Sequence, residues 1–343
     1  MRSKHITLND IAKKLNVSTV TISKALRGHP DISHKTTKLI RQIADEMGYS
    51  PNFMARNLSA RKSNTIGVVI PKIAHHFFSS IIEHIYNYAF DQNYEIILTV
   101  SQENQLRERK HIQTLLSMRV DGMIISISQE TKDYDIFNKI KERGIPIVFI
   151  DRTPNIPNSS SVTVNDRQGA FMATENAIKL GYKNIEHFAG NRNINIGRER
   201  LNGFQDAMKS YGLEIKPGWI IEGGFGEKSG YDTLKRLYNE NNLPDFIFAV
   251  TYPVALGIYM AAQELKLKIP DDIDIICFGN SQVQSFLSPP LSCVDQPTEE
   301  LAVKALQILI DNIDNKDTFE PKQFMIDTNL IIRNTCTKFN RSK

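Results

Sequence analysis

Hydroxyl and cationic side chains are concentrated in one short segment near the start of the chain, at spacings suited to hydrogen bonding with nucleic acid. On a helix, Val20 and Lys24 share one face, and Thr19, Thr21 and Ser23 lie on its flanks. An ammonium group donates to guanine acceptors, an apolar side chain contacts the thymine methyl group, and hydroxyls reach base edges or phosphates. The segment therefore predicts a surface that enters the major groove of DNA, although a merely solvated face has a similar composition.

Three short helices would position that surface. Thr7 with Asp10 predicts the start of a first helix that ends before Asn16, and Ser18 predicts the N-cap of a second helix that ends at Arg27. A third is expected from about 34 to 47. The residues expected to be buried are Leu8, Ile11, Ala12 and Leu15, then Ile22, Ala25 and Leu26, then Leu39, Ile40, Ile43 and Met47. Helices joined in this way describe a helix-turn-helix module.

The charge distribution agrees with a nucleic-acid-binding head. Residues 1–63 hold twelve Lys or Arg against four Asp or Glu, whereas the whole 343-residue chain has a net charge of only +4. A basic head of this kind is attracted to phosphate, and the rest of the chain is mildly acidic. The charge block and the three-helix pattern together favour DNA binding over a solvated tail.

This part of the chain resembles the headpiece of the LacI/GalR family of bacterial transcription regulators. The resemblance rests on three stretches, TLNDIAKK from Thr7, VSTVTISKAL from Val17 and GYSPN from Gly48, and it continues through ARNL from Ala55. The last stretch resembles the hinge helix of the family, whose leucine wedges into the minor groove. The resemblance implies DNA contacts at Thr7, Ser18, Thr19, Val20, Thr21, Ser23, Lys24, Arg27, Ala55, Arg56, Leu58 and Arg61.

The rest of the composition is that of an ordinary globular protein. Hydrophobic residues make up 41% and charged residues 23%, which excludes a disordered or collagen-like chain. No apolar run is long enough to cross a bilayer and the start has no apolar signal core, so we expect a cytoplasmic protein with no membrane partner. Cys277, Cys293 and Cys336 are widely spaced and form no disulfide framework, which suits a reducing compartment.

From Thr65 onward, short β-branched runs alternate with amphipathic stretches, which predicts parallel α/β units. Helices are expected from Ser79 to Asp91, from Thr298 to about Asn312, and from starts near Asn104, Asp166, Arg198, Ser229 and Pro253. The predicted strands are Ile66–Ile70, Glu95–Val100, Gly122–Ile127, Ile145–Ile150, Ile185–Phe188, Phe246–Val250 and Ile273–Phe278. Parallel sheets bind ligands beyond the carboxyl ends of their strands, so the loops after these strands are expected to form a site.

The same region resembles the effector-binding core of the family. Matching stretches include VDGMI from Val120, PIVFIDR from Pro146, RLNGF from Arg200 and IPDDI from Ile269. The resemblance implies a headpiece over 1–52, a hinge over 53–64, and a periplasmic-binding-protein-like core over 65–343 with two doubly wound α/β subdomains. Subdomain 1 is expected at about 65–163 and 294–326 and subdomain 2 at 164–293 and 327–343, with crossings near Val164, Cys293 and Asp327.

The effector positions that match the family are aromatic, acidic, basic and amide side chains. Arg200 is the strongest candidate, because a guanidinium group binds diols, carboxylates and phosphates alike. As alternatives, Phe77 or Phe78 would be ordinary core residues and Asp151 would cap a turn. The predicted effector-binding residues are Phe77, Phe78, Asp151, Arg200, Phe225, Tyr252, Asn280 and Gln296.

The sequence departs from the family in the same site. Thr251-Tyr252 stands where sugar-responsive members carry Asn-Asp, and Gly279-Asn280 stands where they carry two acids. The loss of acidic partners for Arg200 makes an anionic ligand such as a sugar phosphate or uronic acid more plausible. A neutral sugar remains an alternative, since Asn280 and Tyr252 can still hydrogen-bond to it.

Enzyme motifs are absent or incomplete, so no catalytic activity is expected. The stretch from Gly223 to Ser229 approaches a phosphate-binding loop, but Glu227 replaces the required glycine. His75-His76 has no third ligand at metal spacing and is interpreted as polar surface, so neither a metal nor a cofactor is expected. A stand-alone sugar-binding protein with a non-specific basic head is the alternative function.

The resemblance implies a transcriptional regulator, expected to be a repressor. A homodimer would place two headpieces on the halves of a near-palindromic operator, as two-fold symmetry requires. A small carbohydrate-like effector in the cleft would control the affinity for double-stranded operator DNA. The tail from Asn334 has no leucine heptads, so it predicts no helical tetramerisation segment.

Overall fold

A computed structural model describes residues 6–26, 28–49, 62–315 and 320–337 of the chain. The chain divides into two compact units, Met1–Ser63 and Asn64–Lys343. Each unit has its own core, and each is described separately below.

The first unit contains the three predicted helices. They are α1 (Leu8–Leu15), α2 (Thr19–Leu26) and α3 (His34–Glu46). The backbone N–H of Thr7 donates to the Asp10 carboxylate, which fixes the start of α1, and Ser33 Oγ accepts from the N–H of Thr36 at the start of α3. The left-handed conformation of Asn16 then ends α1. The predicted helix-turn-helix arrangement is confirmed by these boundaries.

A small apolar core joins the three helices. Its fully buried members are Ile11, Ala12, Ile22, Ala25, Ile40 and Ala44. Leu39 was expected in this core, but it is 50% exposed. Its neighbours Ile40, Ile43 and Ala44 define the inward stripe of α3, and Leu39 lies roughly a quarter turn away from the middle of that stripe.

The second unit alternates strands and helices. Its helices are α4 (His76–Asp91), α5 (Gln105–Ser117), α6 (Asp135–Glu142), α7 (Asp166–Lys179), α8 (Asn195–Ser210), α9 (Glu227–Asn239), α10 (Tyr252–Leu265) and α11 (Thr298–Asp314), with a 3-10 turn at Gln282–Phe286. Its strands are β1 (Thr65–Ile70), β2 (Glu95–Val100), β3 (Gly122–Ile125), β4 (Ile147–Ile150), β5 (Ser160–Val164), β6 (Ile185–Ala189), β7 (Ile220–Glu222), β8 (Phe246–Ala249), β9 (Asp274–Phe278), β10 (Ser292–Asp295), β11 (Gln323–Ile326) and β12 (Asn329–Ile331).

These strands form two six-stranded sheets. The first has the order β11-β5-β4-β3-β1-β2 and the second has the order β12-β10-β9-β8-β6-β7. Neighbouring strands are parallel except for β12, which runs antiparallel to β10. Both sheets carry helices on each face, which explains why most of their strands are continuous runs of buried apolar residues.

The chain passes between the two sheets three times. It leaves the first sheet after Val164, returns after Asp295 and leaves again after Ile326. The resemblance placed the second passage near Cys293, and β10 ends two residues later, at Asp295. Each sheet is therefore assembled from separate parts of the chain.

Glycines allow two pairs of helices of the second sheet to pack at very short distance. A Cβ atom on Gly257 would lie 1.9 Å from the carbonyl oxygen of Glu227, and one on Gly230 would lie 2.0 Å from that of Val254. Helices α9 and α10 therefore touch backbone to backbone. Gly203 likewise allows α8 to pack closely against α7, because a Cβ atom added there would lie 2.1 Å from the carbonyl oxygen of Arg167.

The predicted α/β alternation is confirmed, and all seven predicted strands are present with ends shifted by at most two residues. Helix α4 begins at His76 and α8 at Asn195, each three residues before the predicted start. Strands β5, β7, β10, β11 and β12 were not predicted. Among the described residues, no helix is both long and apolar enough to span a membrane.

Candidate functional site

Helix α2 presents the predicted DNA-reading residues with different degrees of exposure. Ser18, Thr19 and Val20 are exposed, and Val20 is the most exposed apolar residue of the helix at 62%. Ser18 Oγ accepts from the backbone N–H of Thr21 at 3.1 Å and lies 2.9 Å from the Thr21 hydroxyl, so Ser18 caps α2 and orients Thr21. Thr7 is also exposed, at the start of α1.

Lys24 has a partner within the headpiece. Its Nζ lies 2.7 Å from Asp31 Oδ2, and His29 Nδ1 lies 3.4 Å from the same oxygen. Lys24 and Ser23 are half-buried, so their donors lie at the edge of the helical surface. Of the other DNA contacts implied by the resemblance, Arg27, Ala55, Arg56, Leu58 and Arg61 lie outside the described residues.

A cleft in the second unit is lined by every predicted effector residue. It has a cavity volume of about 50 Å³ and lies where residues from both sheets face each other. The predicted residues that line it are Phe77, Phe78, Asp151, Arg200, Phe225, Tyr252, Asn280 and Gln296. They follow the carboxyl ends of strands or lie on the helices that begin there, as the general rule for open α/β sheets requires.

Arg200 is fixed by three contacts at the back of the cleft. Its Nε donates to Asp166 Oδ1 at 2.8 Å, its Nη1 donates to the carbonyl oxygen of Val250 at 2.7 Å, and its guanidinium carbon lies 3.7 Å from the centre of the Phe278 ring. Sequence reasoning assigned no carboxylate to Arg200 and so missed Asp166. Arg200 is only 2% exposed, and these two hydrogen bonds use two of its five N–H groups.

Asp151 is buried in a strained backbone conformation. Its φ angle is +62°, in the left-handed region that residues other than glycine rarely adopt. Burial raises the pKa of its carboxyl group to about 7, although Arg152 and Arg200 act in the opposite direction. The side chain amide of Asn195, on α8, donates to the carbonyl oxygen of Asp151 at 2.8 Å and holds this turn in place.

Arg152 was not among the predicted effector residues, yet it lines the cleft beside Asp151. Its Nη1 lies 2.9 Å from both carboxylate oxygens of Glu103, and its guanidinium lies 4.8 Å from the centre of the Phe225 ring. Gly190 makes room for that ring, because a Cβ there would lie 2.1 Å from Phe225. The sequence held one signal that Arg152 belongs to the cleft, because it follows Asp151 directly after a buried strand.

His75 was interpreted as polar surface, and this was wrong. Its side chain is 14% exposed, it lines the cleft, and its Nε2 lies 3.9 Å from Glu227 Oε1. Burial lowers the pKa of His75, so the ring is mostly neutral at pH 7. It precedes α4 directly, and the earlier start of that helix carries it into the cleft.

Amide and hydroxyl groups complete the cleft. Thr251 caps α10 and donates its hydroxyl to the carbonyl oxygen of Phe225 at 2.9 Å. Half-burial raises the pKa of Tyr252, so its phenol stays protonated. Within the described part of the chain, no group of three His, Cys, Asp or Glu side chains is placed to hold a metal ion.

Two family models match the chain. Residues 7–52 match the model described as "Bacterial regulatory proteins, lacI family", and residues 63–334 match "Periplasmic binding proteins and sugar binding domain of LacI family". The chain belongs to the LacI family. It is a LacI-family DNA-binding transcriptional regulator with a sugar-binding type of core, and it is not an enzyme.

Relatives of this LacI-family regulator match over nearly its whole length. Catabolite control protein A of Priestia megaterium is 31% identical and covers 92% of this chain and 95% of its own. The transcriptional repressor PurR of Actinobacillus pleuropneumoniae is 30% identical, over 98% and 99% of the two chains. The Lac repressor dimer bound to operator shares the fold, with a TM-score of 0.83, 23% identity, and coverage of 97% and 99%.

Proposed function

We propose that this regulator represses transcription by binding a near-palindromic operator as a homodimer, and that a small carbohydrate-like effector in the cleft controls its affinity for DNA. The convergence of all the predicted effector residues on one cleft carries the proposal. A regulator that must reach chromosomal DNA works in the cytoplasm.

The cleft is suited to a ligand that shifts the equilibrium between two arrangements of the sheets. Its lining residues belong to both sheets, since Phe78 and Asp151 follow strands of the first sheet while Tyr252 and Asn280 follow strands of the second. A ligand that contacts both sheets stabilises one arrangement of the two. It changes the affinity for DNA only to the extent that it binds the DNA-competent and incompetent arrangements differently.

The headpiece supplies the sequence-reading surface. We assign base contacts to Val20 and Lys24, and base-edge or phosphate contacts to Thr19, Thr21 and Ser23. Residues 53–64 are assigned to a hinge whose Leu58 wedges into the minor groove, while Arg56 and Arg61 contact phosphates. The exposed end of α2 and its hydroxyl groups support this assignment.

Selection of bound fragments from randomised duplex DNA at ~150 mM salt tests the DNA part of the proposal. We expect an enriched palindrome with a flexible pyrimidine-purine step at its centre. Binding that is strongly salt-dependent but independent of sequence would contradict operator recognition, and would favour a ligand-binding protein with a generic basic head.

The enriched duplex then serves as the probe for effector control. Its affinity for the full-length protein is measured with and without candidate sugars, and the variant Asn280→Ala, at a half-buried residue of the cleft, is measured in parallel. A sugar that changes the affinity of the wild type but not of the variant supports control through the cleft. An equal effect on both proteins would place the effector elsewhere.

A further inference from the structure

The unsatisfied buried groups of the cleft are hydrogen-bond donors. Among the described residues that line it, Arg152 Nε and Gln296 Nε2 are buried without a hydrogen-bond partner. Both residues are more than nine-tenths buried, with 2% and 7% of their surface exposed. An unpaired buried donor costs free energy, so these nitrogens favour a ligand that brings acceptor atoms.

Arg333 fixes the orientation of a second amide of the cleft, that of Asn280. Its Nη2 donates to Asn280 Oδ1 at 3.0 Å, and its Nη1 donates to the carbonyl oxygen of Leu291 at 2.7 Å. Because arginine is a donor only, the Asn280 atom that it contacts must be the oxygen. Asn280 lines the cleft, so the group that it retains for a ligand is the amide nitrogen.

Three residues with donor groups, Arg200, Gln296 and Asn280, lie around one short loop of the cleft. Arg200 stacks on Phe278, a Cβ atom on Gly279 would lie 3.5 Å from Gln296 Oε1, and Asn280 follows directly in the chain. Gly279, with a φ angle of +96°, contributes no side chain acceptor. We call Arg200, Gln296 and Asn280 the donor wall.

The charges of the cleft limit how much negative charge it accepts. Arg200 is paired with Asp166 and Arg152 with Glu103, so each guanidinium is already balanced by one carboxylate. Asp151 adds a further carboxyl group, with its Oδ2 3.9 Å from Arg152 Nε, and Glu227 lies near His75. A single negative charge shared among several donors is compatible with this balance, whereas a phosphate dianion would face too many nearby carboxylates.

The remaining surface of the cleft is aromatic. Phe77 and Phe78 line the cleft from α4, and Phe225 and Tyr252 line it from the side of the second sheet. Rings of this kind bury the apolar C–H faces of a pyranose, while the polar groups fix its orientation.

We propose that the effector is a monoanionic sugar acid whose carboxylate accepts hydrogen bonds from the donor wall, and that Arg333 is the positioning residue that keeps the Asn280 nitrogen toward it. This inference rests on the proposed function, because it names the class of ligand that the same cleft binds. It requires no contact between Arg333 and the ligand.

Calorimetry on the full-length protein tests the ligand class. The probes are D-glucuronate, D-galacturonate and D-gluconate, compared with D-glucose, D-galactose and glucose 6-phosphate. We expect one of the acids to bind at least tenfold more tightly than the neutral sugars and the phosphate. Tighter binding of a neutral sugar or of the phosphate, or no binding of any of the acids, would overturn the proposal.

Asn280→Asp tests the donor wall with an almost isosteric change. Replacement of the donor nitrogen by a carboxylate oxygen should weaken binding of the acid at least tenfold. Asn239→Asp, at the exposed end of α9, adds the same charge outside the cleft and should leave the affinity unchanged. Equal effects of the two substitutions would reduce the Asn280 result to a general charge effect and contradict the donor wall.

Arg333→Lys tests the positioning role. A lysine keeps the positive charge but cannot donate to Asn280 and Leu291 from one planar group. We expect the preference for the acid over its neutral parent to fall several-fold, with a smaller change in the affinity for the neutral sugar. An equal loss for both ligands would show that Arg333 is only structural, and no loss would show that it is not needed.

Measurements of operator binding distinguish failure of the sugar-acid inference from failure of the proposed function. If a neutral sugar binds in the cleft and changes the affinity for the operator, the proposed function stands and the sugar-acid inference is wrong. If no probe binds and none changes operator affinity, control by a carbohydrate-like effector fails as well. In either case, sequence-specific binding to the selected duplex is measured independently.

Discussion

The ammonium group of Lys24 forms an ion pair with Asp31 in the headpiece, with 2.7 Å between Nζ and Oδ2. Lys24 is on the helix predicted to read bases, whereas Asp31 lies in the turn before α3. The hydrogen bond from Lys24 and the charges of His29 and Lys24 lower the pKa of Asp31. DNA must therefore compete with, or accommodate, a carboxylate that already binds the base-reading cation.

Asp31→Asn should increase the affinity for non-specific DNA several-fold and reduce the preference for the operator. The substitution removes a negative charge from a DNA-binding unit and releases Lys24 to contact phosphates. Fluorescence anisotropy with operator and random duplexes, over a series of salt concentrations, measures both effects. Asp45→Asn changes the charge equally on α3 and is the control. The same gain from both substitutions would mean that net charge alone is responsible.

Lys24→Ala should cost about 1–3 kcal/mol of specific binding and relax the sequence preference at one position in each half-site. The loss should be much smaller for random duplex, because a base contact contributes to discrimination. Competition binding with single-base operator variants identifies the position. A uniform loss across all sequences would assign Lys24 to phosphate contact instead.

The buried pair of Arg200 and Asp166 should be energetically coupled. Arg200→Met or Asp166→Asn alone leaves one uncompensated charge and should lower the free energy of unfolding by about 3–5 kcal/mol. The double variant should be less destabilised than the sum of the two, because neither charge is then left unpaired. Urea unfolding of the four proteins gives the coupling energy. Additive effects would show that the two side chains act independently.

Glu186 should make the stability of the protein depend on pH. It is 1% exposed on β6, its Oε2 has no hydrogen-bond partner, and burial raises its pKa from 4.5 to about 7. The pKa of Glu186 is higher in the folded than in the unfolded protein. Its contribution to the stability of the fold is therefore fully present below the unfolded pKa and is lost as pH rises through the folded value of about 7. Glu186→Gln should therefore stabilise by about 1–2 kcal/mol at pH 8 and have little effect at pH 4.

Unfolding curves for Glu186→Gln at several pH values test this prediction. Glu214→Gln, at an exposed position after α8, is a suitable control because that carboxylate is solvated. A constant difference between wild type and the Glu186 variant from pH 4 to pH 8 would contradict the linkage.

Gly257→Ala should destabilise the second unit and weaken effector binding. Its new methyl group would meet the backbone of Glu227 and push α9 away from α10, at a cost of about 1–3 kcal/mol or more. Helix α9 begins just after Phe225, so the displacement also affects the cleft. Gly224→Ala, with no atom within 4 Å of the added methyl, is the matched control. Thermal unfolding and calorimetry of both variants compare the two sites.

Sequence patterns predicted the elements with strong local signals. The β-branched run from Ile66 to Ile70 and the hydrophobic stripe of α2 depend on neighbouring residues, so they can be recognised without the fold. Strand β5, with the sequence SSVTV, and the exposed strand β11 lack such a run. They form because the edge of the first sheet offers backbone partners, which a local pattern does not show.

The cleft was predictable to the extent that strand ends determine it. Asp151 and Asn280 follow or nearly follow predicted strands, and their presence in one cleft follows from the parallel sheets. The contacts that fix them are long-range. Asp166 lies far from Arg200 in the sequence, and Arg333 reaches Asn280 from the end of the chain, so these pairings required the fold.

The three passages of the chain between the two sheets have a consequence for protein synthesis. The headpiece is complete within the first part of the chain to leave the ribosome, whereas the second sheet receives its edge strand, β12, only at residues 329–331. A message cut short before residue 323, where β11 begins, encodes a DNA-binding unit attached to two incomplete sheets. A product that lacks the last strands therefore keeps the unit that recognises DNA but not the complete core that responds to a ligand.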